Sequence, residues 1–464
     1  MKLNSRIVSA LLLASLLLSG CNSMPFESDS PTMSRPMQMK PTSPLPSAPA
    51  WADEIAGLYE GQLRVKGLDP RTFPPELWWE VATPLLTQER RFHVREIGQS
   101  AEGRPLRHVT WGNGPIPVLL WSQMHGDEST ATMALADLFR LLGEHPDHPL
   151  VARLRQNTTL HFFPLVNPDG AARFQRTNAQ GIDINRDARA LASPEARALK
   201  SLHDELGPRF GFNLHDQRPG YRAGNSDRQV AISLLSPPFD ENRAINDVRK
   251  RAMEVAVAIR AILEPQLAGH IARWDDTFSP RAFGDLTTQW GTSTVLIEAG
   301  GIDGDPQKQL LRRHYFMGML AALDTIASGS HAGLDIGHYF ALPQNGEVWP
   351  DLLIRGGTVV VNGLPSLRAD VLIDFKHPLS EEGGKIKEVG DLSGMQARRS
   401  IDATNMFIQA LPCPVRGEEH TTQTVSITPG KAACLQISRD PEGHDIVWTL
   451  VRDVNPRHRP PSEH

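Results

Sequence analysis

From about residue 51 the chain alternates short apolar runs with stretches whose apolar residues recur every three or four positions. Residues 118–122 (VLLWS) read as a buried strand, and residues 129–142 (STATMALADLFRLL) follow at helical spacing. Residues 160–166 (LHFFPLV), 210–214 (FGFNL) and 294–297 (TVLI) read as further strands. Ser193 before Pro194 is a helix start, a capping hydroxyl ahead of proline at the first helical position. Two more helices are expected over about 244–263 and about 307–326. This order predicts an α/β fold: a mixed, mostly parallel sheet flanked by helices, over residues 51–330. Beyond residue 329 short strands such as 351–354, 358–361, 369–373 and 446–451 lie between Gly, Pro and Asn. They predict a small all-β C-terminal domain over 331–464, with no solenoid or propeller period.

The first fifty residues follow another pattern. Lys2 and Arg6 precede an apolar run at 7–18, too short to span a bilayer comfortably, and together they predict a signal peptide over 1–20. The run closes on Leu18-Ser19-Gly20-Cys21, which resembles the processing box of bacterial lipoproteins. That resemblance implies a lipid on Cys21 and, with Asn22 rather than Asp next, the outer membrane facing the periplasm of a Gram-negative bacterium. Residues 21–50 are rich in Pro, Ser and Met without periodicity and predict a disordered tether. A net charge of -5 with both signs dispersed gives no reason to expect a nucleic-acid partner.

Candidate chemistry collects at the ends of the apolar strands. His125-Gly126-Asp127-Glu128 lies just past VLLWS, His215 directly after FGFNL, and Glu298 directly after TVLI. In open α/β sheets ligands bind in the crevice at the carboxyl ends of strands. Two His and one carboxylate with a fourth position for water is a catalytic zinc pattern, which predicts one Zn²⁺ per chain. A second match to the same spacing, His93-Val-Arg-Glu96, sits in an extended stretch. There, residues three apart point to opposite faces, so it is read as structural.

The ordered set HGDE, Asn167-Pro168-Asp169-Gly170, Asn185-Arg186, His215 and Glu298 resembles the carboxypeptidase A-like zinc peptidases over about residues 90–325. The resemblance implies metal ligands His125, Glu128 and His215, substrate-carboxylate binding by Asn185 and Arg186, and Glu298 as general base. It also implies Arg176 as the arginine that polarises the scissile carbonyl, with Arg173 as a rival. The implied reaction is hydrolysis of a peptide bond near a free C-terminal carboxylate, with a peptide or peptide-like partner. Asp127 stands where the digestive enzymes carry arginine, and in this HGDE is closer to murein-peptide amidases and N-acyl-amino-acid deacylases. The family's substrate-contacting tyrosine has no match upstream of Glu298, where Phe278 and Phe283 stand; Tyr221 is a substitute to weigh. Beside these enzyme readings stands a non-catalytic binding lipoprotein, disfavoured because every ligand and the base are present. The C-terminal strands resemble the small β-sandwich that accompanies amidohydrolase barrels and are read as a packing or substrate-shaping unit. Cys413 and Cys434 share that region, and the sequence leaves open whether they pair.

Overall fold

A computed structural model describes residues 39–361, 363–413 and 426–450. The expected signal over 1–20, Cys21 and the tether as far as residue 38 lie outside the described residues. Five strands come first: β1 (Phe92–Gln99), β2 (Pro105–Gly112), β3 (Ile116–Ser122), β4 (Thr158–Phe163) and β5 (Phe210–Asp216). The short β6 (Tyr221–Ala223) stands apart. With β7 (Ile232–Leu235), β8 (Ile271–Arg273) and β9 (Ser293–Ala299) the first five form one eight-stranded sheet, ordered β1-β2-β4-β3-β5-β9-β7-β8.

The middle of this sheet, β4-β3-β5-β9, is parallel, and antiparallel pairs flank it on both sides. These four are the strands that the apolar runs predict. Strands covered on both faces read as continuous apolar runs, and every residue of β5 and β9 is buried. Successive side chains of a strand point to opposite faces. Val118 and Leu120 of β3 accordingly join the core beneath helices Thr130–Glu144, Asp247–Leu267 and Gln309–Ser328, while Leu119 and Trp121 join the one beneath Pro194–Leu206 and Phe283–Gln289. Ser193 caps as expected, accepting from the Ala196 N–H at 3.3 Å. The helix expected from about 244 starts at Asp247, where the Asn246 side chain accepts from Arg249 N–H at 2.9 Å.

The chain continues through β10 (Asn345–Val348), which pairs with β6, into β11 (Leu352–Val359), β12 (Leu367–His377), β13 (Glu382–Gly390), β14 (Arg399–Asp402), β15 (Phe407–Ala410), β16 (Leu435–Ser438) and β17 (Ile446–Leu450). The last seven form one sheet around Leu352, Val371, Ile373, Ile386, Ile408 and Leu435. The segments expected at 351–354 and 358–361 are a single strand, β11, broken in register between Ile354 and Gly357. Its first part pairs with β14 and its second with β15, so each side of the break has its own neighbour. Cys413 and Cys434 are disulfide-bonded, with Cα atoms 5.3 Å apart, which answers the question that sequence left open.

Residues 39–50, the last part of the expected tether, lie against the helical side. Thr42 N–H and Oγ1 donate to Asp335 Oδ2 at 2.5 and 2.9 Å, and Met39 and Leu45 pack on the core. Among the described residues no helix is long and apolar enough to cross a membrane.

Candidate metal centre

The loop after β3 is fixed from below. Gln123 takes a left-handed φ of 55°, a conformation disfavoured for residues other than glycine, and its Nε2 donates to Gly126 O at 2.9 Å. A Cβ at Gly126 would lie 2.0 Å from the Gly170 carbonyl carbon, so HGDE and Asn167-Pro-Asp-Gly170 can meet only through glycine. Buried Asn167 ties the two loops further. Its Oδ1 accepts from Gly170 N–H at 2.8 Å, and its Nδ2 donates to Met124 O and Arg176 O at 3.2 and 3.3 Å.

On this base His125, Glu128 and His215 converge, with one ligand atom from each lying within 4.8 Å of the others. His125 Nδ1 is 2.8 Å from Glu128 Oε1, and His215 Nδ1 is 2.7 Å from Glu128 Oε2. The Asp216 N–H donates to Glu128 Oε2 at 3.0 Å. Behind His125, Asp183 Oδ1 is 3.0 Å from Nε2, which fixes Nε2–H as donor and turns the Nδ1 lone pair toward the cluster. Arg176 spans Asp183 Oδ2 (3.0 Å) and Glu128 Oε1 (3.3 Å), whereas Arg173 pairs with Glu102 outside the cavity. His93 and Glu96 are exposed on edge strand β1, away from the cluster.

The electrostatics of this cluster call for a cation. Burial would raise the pKa of Glu128, but the two imidazoles override it and hold the carboxylate well below its usual range. Burial also works against His125, yet Glu128 and Asp183 lift its pKa above the ordinary value, while burial keeps that of His215 below it. A buried carboxylate between two histidines thus needs a proton on one ring or a metal ion among the three. Two His and one Glu with an open side fit zinc.

His125 and Glu128 line a cavity of about 520 Å³. Glu298 pairs in register with His215 across β5 and β9, so its carboxylate enters beside the cluster. Its Oε2 is buried without a hydrogen-bond partner, and burial, then the charges of Glu128 and Asp216, raise its pKa well above the usual value. Asn185 Oδ1 accepts from Phe283 N–H at 3.0 Å, which orients its Nδ2 toward His215 Nε2, 3.4 Å away. Arg186 faces the cavity and donates to Asn185 O at 2.9 Å, with no ion pair among the described residues. Tyr221 also lines the cavity, and burial and Glu298 raise its pKa. Phe283 instead sits in the core, and Phe278 is not part of the lining.

Several lining residues were not singled out by sequence. Lys308 is buried at a left-handed φ of 53° and donates to Asp216 Oδ2 at 3.0 Å and Ala299 O at 2.9 Å. Asp183 and Asp216 each carry a site hydrogen bond, and their nearness to Asn185 and His215 in sequence was the available signal. The pair Gly300-Gly301 follows directly after β9. A Cβ at Gly300 would lie 2.2 Å from Val230 O, so the glycine lets the chain after Glu298 pass against its neighbour.

Asp285, near Arg186 in the cavity wall, has its pKa pushed up to about 7 by burial. Between about pH 4 and 7 the unfolded chain loses this proton while the folded one keeps it, so the group's contribution to stability falls as pH rises. Asp285→Asn should therefore raise Tm at pH 8 relative to the parent and leave it unchanged at pH 3.5, as followed by circular dichroism. Equal shifts at both values would contradict the assignment.

A buried His-Glu-His cluster at the edge of a mixed α/β sheet is a candidate metal site with the donor set that catalytic zinc sites use. Residues 85–206 match the family model for zinc carboxypeptidases, a segment that includes His125, Glu128, Arg176, Asn185 and Arg186. Carboxypeptidase E of Caenorhabditis elegans is 34% identical over 170 residues, covering 31% of this chain and 34% of its own length. Carboxypeptidase 2 of Trichophyton tonsurans is 30% identical over 189 residues, or 40% and 33% of the two chains. The chain thus spans about a third of the length of these curated relatives. Among solved structures, a metallo-carboxypeptidase of Pseudomonas aeruginosa is similar at 19% identity and a TM-score of 0.43, covering 54% of this chain and 69% of its own. Carboxypeptidase A of Helicoverpa armigera is similar at 15% identity and a TM-score of 0.46, covering 60% and 80%. The family match takes in His125 and Glu128 and ends before His215 and Glu298, which the fold brings to the same sheet edge.

Proposed function

We propose that this protein is a zinc-dependent carboxypeptidase that hydrolyses a peptide bond next to a free C-terminal carboxylate. The observation that carries the reading is a cavity lined by His125 and Glu128 of the His-Glu-His cluster, by Glu298 with its unpartnered Oε2, and by Arg186, which has no ion pair among the described residues. When bound, zinc supplies a Lewis acid and a water acidic enough to act near neutral pH.

The protein's residues do the rest. Arg186 offers a planar fork for the substrate carboxylate, and Asn185, held by Phe283 N–H, borders the same wall. Arg176 leans on Glu128 and Asp183 and provides N–H donors where oxyanion charge develops. Glu298 Oε2 takes the proton of the attacking water and returns it to the leaving amine. Burial and the charges of Glu128 and Asp216 favour the protonated form of Glu298, which helps it hold the water's proton until the amine leaves. Tyr221, on the cavity wall, is placed to take the part of the missing tyrosine.

A mass-spectrometric time course on short peptides tests this. Loss of single C-terminal residues that stops with a chelator and resumes with zinc supports the reading. Chelator-resistant cleavage, or none by protein holding zinc, counts against it. Murein peptides and N-acyl amino acids as parallel substrates separate the amidase and deacylase alternatives. Uptake of zinc with no hydrolysis of any substrate favours a binding protein.

The reading also divides the chain into a signal over 1–20, a tether over 21–50 whose residues 39–50 rest on the folded body, a catalytic unit over 51–330 and a β unit over 331–464. It places the enzyme at the outer membrane through a lipid on Cys21. Supported by Leu18-Ser19-Gly20-Cys21, this predicts that Cys21→Ser moves the protein into the soluble fraction on membrane separation. Unchanged sedimentation with membranes would contradict the anchor.

A further inference from the structure

The cavity has a second cationic wall that the roles above leave unused. Arg71 enters from the segment before β1, and its Nη2 donates to the Asp127 carbonyl at 3.1 Å while its buried Nε has no partner. Its nearest carboxylate, Asp216 Oδ2, is 3.9 Å away. That oxygen is already held by Lys308 Nζ at 3.0 Å and Thr130 Oγ1 at 2.7 Å, and the charges of Asp127 and Glu128 act on the guanidinium without an ion-pair contact among the described residues.

Next to Arg71 stands Phe174, with the guanidinium carbon 5.1 Å from its ring centroid. The other neighbour of that ring is His377, at 5.8 Å between centroids. Phe174 takes a left-handed φ of 48° at the end of helix Pro168–Arg173, a conformation costly for a bulky side chain. His377 ends β12, so the C-terminal sheet forms part of this wall together with Lys376, which is exposed and has no ion pair among the described residues. Burial, then the charges of Lys376 and Arg71, keep the pKa of His377 below its ordinary value, so near neutral pH the ring adds a hydrogen-bonding nitrogen and no further charge.

We propose that Arg71, Phe174, Lys376 and His377 form a subsite for an anionic group on the substrate, on the acyl side of the scissile bond. The inference rests on the carboxypeptidase reading, in which Arg186 takes the terminal carboxylate. Arg186 is beside Asn185 and Asp285, whereas Arg71 is beside Asp127, Asp216 and Phe174, so we assign a second negative charge at Arg71 and Lys376 to the part of the substrate across the cleaved bond. The preferred substrate then carries a carboxylate on each side of that bond. The C-terminal sheet would contribute specificity as well as packing.

The test compares two N-acetyl dipeptides with the same C-terminal residue and either Glu or Gln ahead of the scissile bond. Zinc-loaded full-length protein should show kcat/KM at least about tenfold higher for the Glu peptide, the effect expected of one charge-assisted hydrogen bond. Lys376→Gln, an exposed position unlike Arg71, should bring the Glu-to-Gln ratio toward one, and Lys376→Glu should invert it. Arg71→Gln, with folding checked by circular dichroism, should do the same as Lys376→Gln. Equal kcat/KM for the two peptides, or a ratio unmoved by the Lys376 variants, would overturn the subsite and leave the carboxypeptidase reading standing. Cleavage of neither peptide by protein that holds zinc would remove the carboxypeptidase reading and this inference with it.

Discussion

Glu298→Gln is expected to lower turnover by about 10²–10⁴-fold, the usual contribution of a general base, while the protein keeps its zinc. The substitution preserves size and shape at a fully packed strand end, where every residue of β9 is buried. Glutamine replaces a carboxylate whose buried Oε2 lacks a partner with an amide that cannot accept the water's proton. Stability should not fall, because the carboxylate it replaces is held with a raised pKa beside Glu128 and Asp216. The loss should appear in kcat, with the affinity for a product peptide largely kept, since Arg186 and Asn185 are untouched. Zinc content by plasma mass spectrometry and single-turnover rates check both parts. Loss of zinc in Glu298→Gln would make the carboxylate a ligand, and normal hydrolysis would place the base elsewhere.

Removing a ligand should have a larger effect still. His215→Ala deletes one of two imidazoles that hold Glu128, at 2.7 Å from Oε2, and leaves that oxygen with the Asp216 N–H alone. Two remaining ligands do not make a zinc site, so metal and measurable hydrolysis should both disappear. A buried carboxylate that loses a partner costs about 1–3 kcal/mol or more, so Tm should fall as well. His93→Ala, on exposed β1, should change neither zinc content nor rate. Full activity in a metal-free His215→Ala protein would end the zinc mechanism.

What sequence could and could not reveal follows from where each signal resides. The four parallel strands were legible because burial on both faces leaves few polar positions, giving the mostly apolar runs VLLWS, LHFF, FGFNL and TVLI. His125, Glu128, His215 and Glu298 were legible because each follows or ends such a run. Strands β7 and β8 were not, being four and three residues long and set by pairing with distant partners. Lys308 and Phe174 were hidden for another reason. Their left-handed backbone is imposed by surrounding packing, and nothing local in a lysine or phenylalanine announces it. The role of Lys376 and His377 depends on where the end of β12 comes to lie, 250 residues beyond His125 in the chain for Phe375 and its neighbours, roughly. No spacing rule reaches that far.

The central claim joins a metal cluster to a carboxylate clamp, and one measurement addresses both. A peptide with a free C-terminus and the same peptide amidated would be incubated with zinc-loaded protein and followed by mass spectrometry. Arg186, unpaired among the described residues and facing the cavity, should make cleavage depend on the free carboxylate. The account predicts stepwise loss of single residues from the free peptide and none from the amide. Equal cleavage of the two, or none of either while the protein retains its zinc, would contradict it.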